Sequence, residues 1–238
     1  MSAIMTDIKI RRSDDRGRAD FGWLKGRHSF SFGEYYDPAH MGFRTLRVIN
    51  EDRIAVGGGF PTHPHRDMEI FSYVVEGELE HRDSMGNGRT LKPGQIQLMS
   101  AGRGVTHSEY NPGKHVATHM LQIWIQPRER GLKPGYTEWH PKPEHETAAK
   151  VLVISADGRE GSALIHQDAD VYRIRLKKGE RVSHELADGR GLWLQIIRGS
   201  ATLNGMELQA GDGASAEAAG AYAVEAVDGV EALLFDLK

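Results

Sequence analysis

The sequence predicts an all-β protein built from two β-barrels in tandem. Three observations carry this prediction: apolar residues come in short runs bounded by turn residues, glycine is unusually frequent, and the two halves of the chain share a repeated pattern. The chain of 238 residues contains 28 glycines, which is about 12% against a usual share of about 7%. This length suits one large domain or two small ones.

The predicted strands are runs of four to eight residues rich in β-branched and aromatic side chains. They cover residues 46–49, 70–75, 96–99, 121–125, 192–197 and 232–237. Turn-forming pairs such as Pro93-Gly94 lie between the runs. Asn204-Gly205, flanked by two short runs, is a strong signal for a two-residue hairpin. Many short strands at regular spacing are typical of a sandwich or a barrel.

An internal repeat divides the chain. Residues 74–79 resemble residues 196–201 at an offset of 122, and residues 93–96 resemble residues 210–213 at an offset of 117. Four of the nine prolines lie within residues 127–143, and proline favours extended linkers. We therefore expect an N-terminal barrel over residues 1–130, a proline-rich linker over 131–148 and a C-terminal barrel over 149–238.

Composition excludes several classes of protein. The formal net charge of −3 argues against direct nucleic-acid binding, which needs a basic surface. The absence of cysteine excludes disulfides, thiolate nucleophiles and iron–sulfur clusters. The sequence has no apolar stretch long enough to span a membrane, and the charged first twenty residues do not resemble a signal peptide. We therefore expect a cytoplasmic protein.

Two short motifs carry the candidate chemistry. His63 and His65 form an H-x-H pair, and His107 and Glu109 repeat the same spacing 42 residues after the first pair. On a strand, residues i and i+2 point to the same face, so each pair can converge on one ion. One H-x-H alone is more often two surface histidines, but two such pairs form a set of three imidazoles and one carboxylate. The sequence therefore predicts a metal site made of His63, His65, His107 and Glu109.

The same motifs carry a family resemblance. Gly57, His63, His65 and Glu69 look like the first cupin motif, and Gly94, Ser100, Gly102, His107 and Asn111 look like the second, although Ser100 stands where proline is usual and Gly102 lies two residues too far from His107. Segments 29–32, 35–38, 41–43, 46–50, 63–70 and 99–104 resemble the pirin family, and most of all its bacterial members with quercetin 2,3-dioxygenase activity. The resemblance implies a bicupin, two tandem jelly-roll β-barrels, with one metal in the N-terminal barrel.

The carboxylate ligand has two candidates. Typical cupins use the glutamate of the first motif, here Glu69, whereas in pirins the carboxylate comes from the second motif, here Glu109. Glu109 also shares a strand face with His107, so we favour it. The 122 and 117 offsets place Glu185, Ala187, Val224 and Ala226 at the four ligand positions of the second barrel. Since only His184 remains nearby, we expect a degenerate C-terminal barrel without metal.

The expected cofactor is one divalent transition metal, with Fe(II) first and Mn, Co, Ni or Zn as alternatives. Three neutral imidazoles and one carboxylate leave a net charge of +1, which favours an anionic oxygen ligand. The resemblance implies that this ligand is a flavonol such as quercetin, whose ring O2 cleaves with loss of CO, and Glu109 is the candidate catalytic base. The resemblance also allows a metal-containing redox sensor that acts through protein partners. A third possibility is another reaction on a small aromatic substrate.

Several other residues have open roles at this stage. We expect His81 to be exposed, while Arg66 and His119 are either surface residues or contacts of the metal ligands. The aromatic residues near the N-terminus, among them Phe32 and Tyr35, pack as core or line a substrate pocket. An apolar cavity of some hundreds of Å³ beside the ion would favour the enzyme over the sensor.

Overall fold

The computed structural model of the chain describes residues 8–238, so the first seven residues of the predicted N-terminal barrel lie outside it. It is nearly all β, as predicted. Among the described residues, no helix has the length and hydrophobicity of a membrane-spanning segment.

Twelve strands precede the segment that joins the two barrels. They are β1 (Lys9–Arg11), β2 (Gly17–Asp20), β3 (Leu24–His28), β4 (Leu46–Ile54), β5 (Gly59–His65), β6 (Glu69–Glu76), β7 (Leu79–Asp83), β8 (Gly88–Leu91), β9 (Ile96–Ser100), β10 (Val105–Tyr110), β11 (Thr118–Ile125) and β12 (Gly135–Trp139).

One short helix and ten strands follow. They are α1 (Pro143–Thr147), β13 (Lys150–Ser155), β14 (Ala163–Leu164), β15 (Ala169–Leu176), β16 (Arg181–Leu186), β17 (Gly191–Arg198), β18 (Ser200–Leu203), β19 (Met206–Gln209), β20 (Gly213–Ala216), β21 (Gly220–Ala226) and β22 (Val230–Leu237). Two 3-10 turns, Ser13–Asp15 and Arg159–Gly161, complete the regular structure.

Each barrel consists of a seven-stranded and a four-stranded sheet. In the N-terminal barrel the seven-stranded sheet has the order β12-β9-β6-β11-β4-β3-β2 and the smaller sheet the order β5-β10-β7-β8. In the C-terminal barrel the orders are β1-β20-β17-β22-β15-β13-β14 and β16-β21-β18-β19. The equivalent arrangement confirms two tandem cupin barrels.

The chain crosses the predicted boundaries at two points. Strand β1 pairs with β20 and so belongs to the C-terminal sheet, and β12, inside the predicted linker, pairs with β9 of the N-terminal sheet. Pro134 and Pro141 lie just outside β12, which is an edge strand, where proline is tolerated. The proline cluster therefore borders a strand instead of forming only a linker.

The repeated glycines have the same structural role in both barrels. Gly77 and Gly199 both have φ of +73°, a conformation that L side chains rarely adopt. A Cβ at Gly77 would lie 2.8 Å from the carbonyl oxygen of Ala117, and one at Gly199 would lie 1.7 Å from that of Gly229. Each position therefore requires glycine where the chain turns after β6 or β17.

The two seven-stranded sheets pack on each other through apolar side chains. Phe71 on β6 and Phe235 on β22 lie in this core, with ring centroids 6.3 Å apart. Alternation along β6 turns Phe71 and Tyr73 toward this interface and leaves Ser72 on the opposite face, inside the barrel. The interface core thus fixes the orientation of strands whose other face lines the barrel.

Phe71→Ala should lower the free energy of unfolding by about 3–5 kcal/mol, because it leaves a cavity in the core between the sheets. Urea unfolding followed by fluorescence measures the change. Met206→Ala, at a side chain that is 44% exposed, is the matched control and should change stability by less than about 0.5 kcal/mol. A loss below about 1 kcal/mol at Phe71 would mean that the two sheets do not stabilise each other.

Candidate metal centre

The candidate ligands lie on two adjacent antiparallel strands. In the pairing of β5 with β10, His63 is opposite His107, and His65 is opposite Val105. A register irregularity between His107 and Glu109 places Glu109 opposite Phe60. The i, i+2 spacing on β5 therefore turns two imidazoles to the same side as His107.

Three of the four predicted ligands converge closely. The ring centroids of His63, His65 and His107 are 4.5–4.8 Å apart in every pair. Their candidate ligand atoms all lie within 4.8 Å of one another. Glu109 belongs to an overlapping group with His81 and His107, by the same distance criterion.

Unpaired nitrogens show that this group fits a metal ion. The Nε2 atoms of His65 and His107 are buried and have no hydrogen-bond partner, and an orphaned buried nitrogen costs free energy unless something binds it. The Nδ1 of His63 lies 2.8 Å from the carbonyl oxygen of Pro61. Because a carbonyl only accepts, Nδ1 carries the proton and Nε2 keeps its lone pair.

The buried imidazoles are in the neutral form that binds metals. Burial, together with the nearby His107 and His63, lowers the pKa of His65 to about 4. Burial, together with His63 and His81, lowers the pKa of His107 to about 3. At neutral pH both rings therefore offer a lone pair without first losing a proton.

Glu109 is fully buried and held by three donors. Ser72 Oγ and Gln97 Nε2 donate to Oε1 at 3.0 and 2.7 Å, and Gln122 Nε2 donates to Oε2 at 2.8 Å. Trp124 Nε1 donates to Gln122 Oε1 at 3.3 Å, which fixes the orientation of that amide. Since a carboxylate has about four acceptor positions, one position on Oε2 remains for an ion.

A cavity of about 540 Å³ opens onto this group. His63 and His65 line it, and Trp124 packs edge-on against His65 with ring centroids 5.0 Å apart. The rest of the lining is mainly aromatic or apolar, with a few buried polar groups: Phe21, Leu24, Phe32, Tyr35 and Phe60, with His28, Asn50, Asp52 and Gln122. The volume and the apolar lining are those of a small-molecule site.

Comparison with known proteins agrees with this architecture. A family model described as Pirin matches residues 9–125, and one described as Quercetinase C-terminal cupin domain matches residues 152–237. The quercetin 2,3-dioxygenase of Escherichia coli K12 is 46% identical over 97% of this chain and 98% of its own length. The chain belongs to the pirin family. It is similar to oxidoreductases of the quercetin 2,3-dioxygenase type.

Two solved structures show the same fold. The crystal structure of YhhW from Escherichia coli has a TM-score of 0.94 and 46% identity, and covers 97% of each chain. That of the bacterial pirin YhhW in complex with nickel(II) has a TM-score of 0.92 and 46% identity, and covers 97% of this chain and 98% of its own. In this pirin-family chain, the His/Glu cluster is likewise able to hold a metal.

The alternative ligand Glu69 has another task in this pirin-family fold. It is buried and accepts hydrogen bonds from Ser100 Oγ at 2.7 Å and from the backbone nitrogen of His166 at 3.2 Å. His166 belongs to the C-terminal half, so Glu69 joins the two barrels. His119 is bound to Glu51 at 2.9 Å, and Arg66 is exposed.

The C-terminal barrel carries an ion-paired histidine at the equivalent position. Strand register places His184 opposite Tyr222, as His63 lies opposite His107. His184 Nε2 lies 2.8 Å from Asp236 Oδ2, and its Nδ1 lies 2.9 Å from Lys150 Nζ. Both ring nitrogens are therefore engaged by side chains of the chain itself.

His81 and Asp83 contact the site although the sequence did not single them out as part of it. The expectation that His81 is exposed is wrong, because it is fully buried opposite Glu109 on β10. Its Nε2 lies 3.2 Å from Asp83 Oδ2, and its Nδ1 lies 3.3 Å from His107 Nδ1. If Nε2 donates to the carboxylate, Nδ1 accepts from His107, which leaves the His107 Nε2 lone pair free. The row therefore sets the ligand tautomer.

His107→Ala should weaken binding of a divalent metal by more than about 100-fold, because it removes one of three converging imidazoles. Titration calorimetry on metal-depleted protein measures the affinity. His115→Ala, at an exposed histidine, should bind as the wild type does. Equal affinity in both variants would show that His107 is not a ligand.

His81→Phe should weaken metal binding by about 10–100-fold, because it keeps an aromatic ring in place but no longer accepts the His107 proton. Asp83 keeps its hydrogen bonds from Asn87, so the adjoining turn should persist. The same titration applies, with His140→Phe, at an exposed histidine, as the control. An unchanged affinity would mean that the Asp83–His81–His107 row does not position the ligand.

Proposed function

We propose that this pirin-family protein is a metal-dependent dioxygenase that cleaves flavonols such as quercetin, with insertion of O2 and release of CO. We assign the metal to His63, His65, His107 and Glu109, with Fe(II) as the first candidate ion. The observation that carries the proposal is the cavity of about 540 Å³ that opens directly onto His63 and His65. The likeness to enzymes named quercetin 2,3-dioxygenase supports the substrate class.

The shape of the cavity suits a flat aromatic molecule. Phe32 and Trp124 meet at a ring-centroid distance of 5.4 Å and an angle of 90°, so they form an apolar corner. Flat rings pack well into such corners through stacked and edge-on contacts. Phe60 and Trp23 form a second edge-on pair at 5.2 Å. These side chains would hold the substrate and exclude water around it.

The polar groups concentrate at the end of the cavity that carries the imidazoles. A divalent ion held there supplies positive charge that lowers the pKa of a hydroxyl bound to it. Gln122 lines the cavity and also donates to Glu109, so it connects the substrate space to the proposed carboxylate ligand. A hydroxylated ring would thus enter with its polar edge toward the histidines.

The cavity also bears on the regulatory alternative, in which the metal senses redox state for a protein partner. A filled or flat site would support that alternative. The apolar space beside His63 and His65 supports a small-molecule reaction instead.

Glu109→Gln should abolish quercetin turnover while keeping much of the bound metal, because the amide keeps the side-chain shape but loses the charge and the capacity to take a proton. Loss of quercetin absorbance, O2 uptake and CO release are measured on metal-loaded protein, together with metal content. Wild type should consume quercetin with CO release, and His63→Ala should not.

Full turnover in Glu109→Gln would remove Glu109 from the mechanism. Loss of quercetin without CO in the wild type would contradict the proposed ring cleavage and indicate a different oxidation.

A further inference from the structure

Asp52 is a buried carboxylate of the substrate cavity that the assigned metal group does not use. It is 2% exposed, and it lines the cavity that also contains His63 and His65. Its Oδ1 is buried without any hydrogen-bond partner. No cation of residues 8–238 forms an ion pair with it. An unpaired buried carboxylate is costly, so its retention in a cavity points to a ligand.

The neighbouring strands leave room for this carboxylate. In the sheet, Asp52 on β4 lies between Gly26 on β3 and Met120 on β11. A Cβ at Gly26 would lie 2.8 Å from Asp52 Oδ1, so only glycine leaves this space free. The apolar residues Leu24, Ile54 and Met120 pack together at this end of the barrel.

The groups that face Asp52 favour its protonated form. Burial, together with the carboxylates of Glu109 on β10 and Glu51 on its own strand, raises its pKa to about 7. The other titratable groups lining the same cavity are His28 on β3, whose pKa burial lowers, His63 and His65 on β5, and Asp20, Arg18, Glu34 and Tyr35 of the N-terminal segment. Asp52 is therefore able to gain and lose a proton near neutral pH.

Glu109 is less suited to take a proton from a substrate. Ser72, Gln97 and Gln122 already occupy three of its acceptor positions, and the metal assignment uses the fourth. Asp52 has an acceptor oxygen with no partner at all. The two carboxylates thus divide naturally into one that holds the ion and one that is free to meet the substrate.

We propose that Asp52 is a further catalytic residue, which accepts a hydrogen bond and then the proton from a hydroxyl group of the substrate. The inference rests on the proposed flavonol chemistry. In this step the substrate O–H bond breaks, the proton moves to an Asp52 carboxylate oxygen, and the electron pair stays on the substrate oxygen. Nothing is oxidised or reduced, and the resulting anion is the form that the positive centre favours.

The test uses anaerobic binding of 3-hydroxyflavone, which has a single hydroxyl, and of flavone, which has none, to metal-loaded protein. Wild type at pH 7 should bind 3-hydroxyflavone with the absorbance band of its anion. Asp52→Asn should bind it at least tenfold more weakly and show the band only at higher pH, while its flavone affinity stays within twofold of wild type. Asp188→Asn, the same change at an exposed turn of the other barrel, should match the wild type.

A second measurement tests the buried carboxylate without any substrate. A folded-state pKa raised above the ordinary 3.8 means that the protonated side chain stabilises the fold at low pH, and that this stabilisation is lost as pH rises through about 7. Asp52→Asn should therefore raise the thermal midpoint relative to wild type more at pH 8 than at pH 4. It also shows that the variant is folded.

The outcomes separate this inference from the proposed function. An Asp52→Asn variant that binds 3-hydroxyflavone with wild-type affinity and pH dependence overturns the role of Asp52, even if quercetin turnover is normal. Asp52-dependent formation of the anion without quercetin cleavage supports Asp52 and contradicts the dioxygenase. If wild type binds neither compound, both proposals fail.

Discussion

The pairing of β5 with β10 is the constraint on which the candidate site depends. It sets His63 directly opposite His107, and the i, i+2 spacing adds His65 on the same side. Because side chains alternate along a strand, a slip of one residue would turn these imidazoles away from the barrel interior. On its other edge β10 pairs with β7, which brings Asp83 opposite His107 and adds the neighbours that orient it. One strand register therefore positions both the proposed ligands and the groups behind them.

The packing between the barrels and the site share the same strands. The outward face of β6 carries Phe71 and Tyr73 into the apolar core between the seven-stranded sheets, while Ser72 faces inward and donates to Glu109. Glu69, at the start of the same strand, contacts His166 of the C-terminal half. The second barrel, whose equivalent histidine is ion-paired, thus supports the first through an extensive apolar interface.

Buried polar groups without partners give the site its chemical character. In a low-dielectric interior, an orphaned nitrogen or carboxylate is costly, and burial favours the neutral form of each. The Nε2 atoms of His65 and His107 are therefore neutral and free to bind a cation, whereas Asp52 retains its proton to near-neutral pH. Lone pairs for an ion and an unpaired acceptor for a hydroxyl lie around one apolar cavity.

The sequence by itself determined the all-β class, the tandem repeat, the hairpin at Asn204-Gly205, whose two residues both have positive φ, and the convergence of His63, His65 and His107. These features depend on spacing of two residues or on local backbone preference, so they can be read along the chain. Only the tertiary structure decided that β12 joins the first barrel, that His81 is buried behind His107, and that Asp52 faces the substrate cavity. These depend on which strands become neighbours and on which face of each strand is inside, and alternation alone does not distinguish the two faces of a strand buried on both sides.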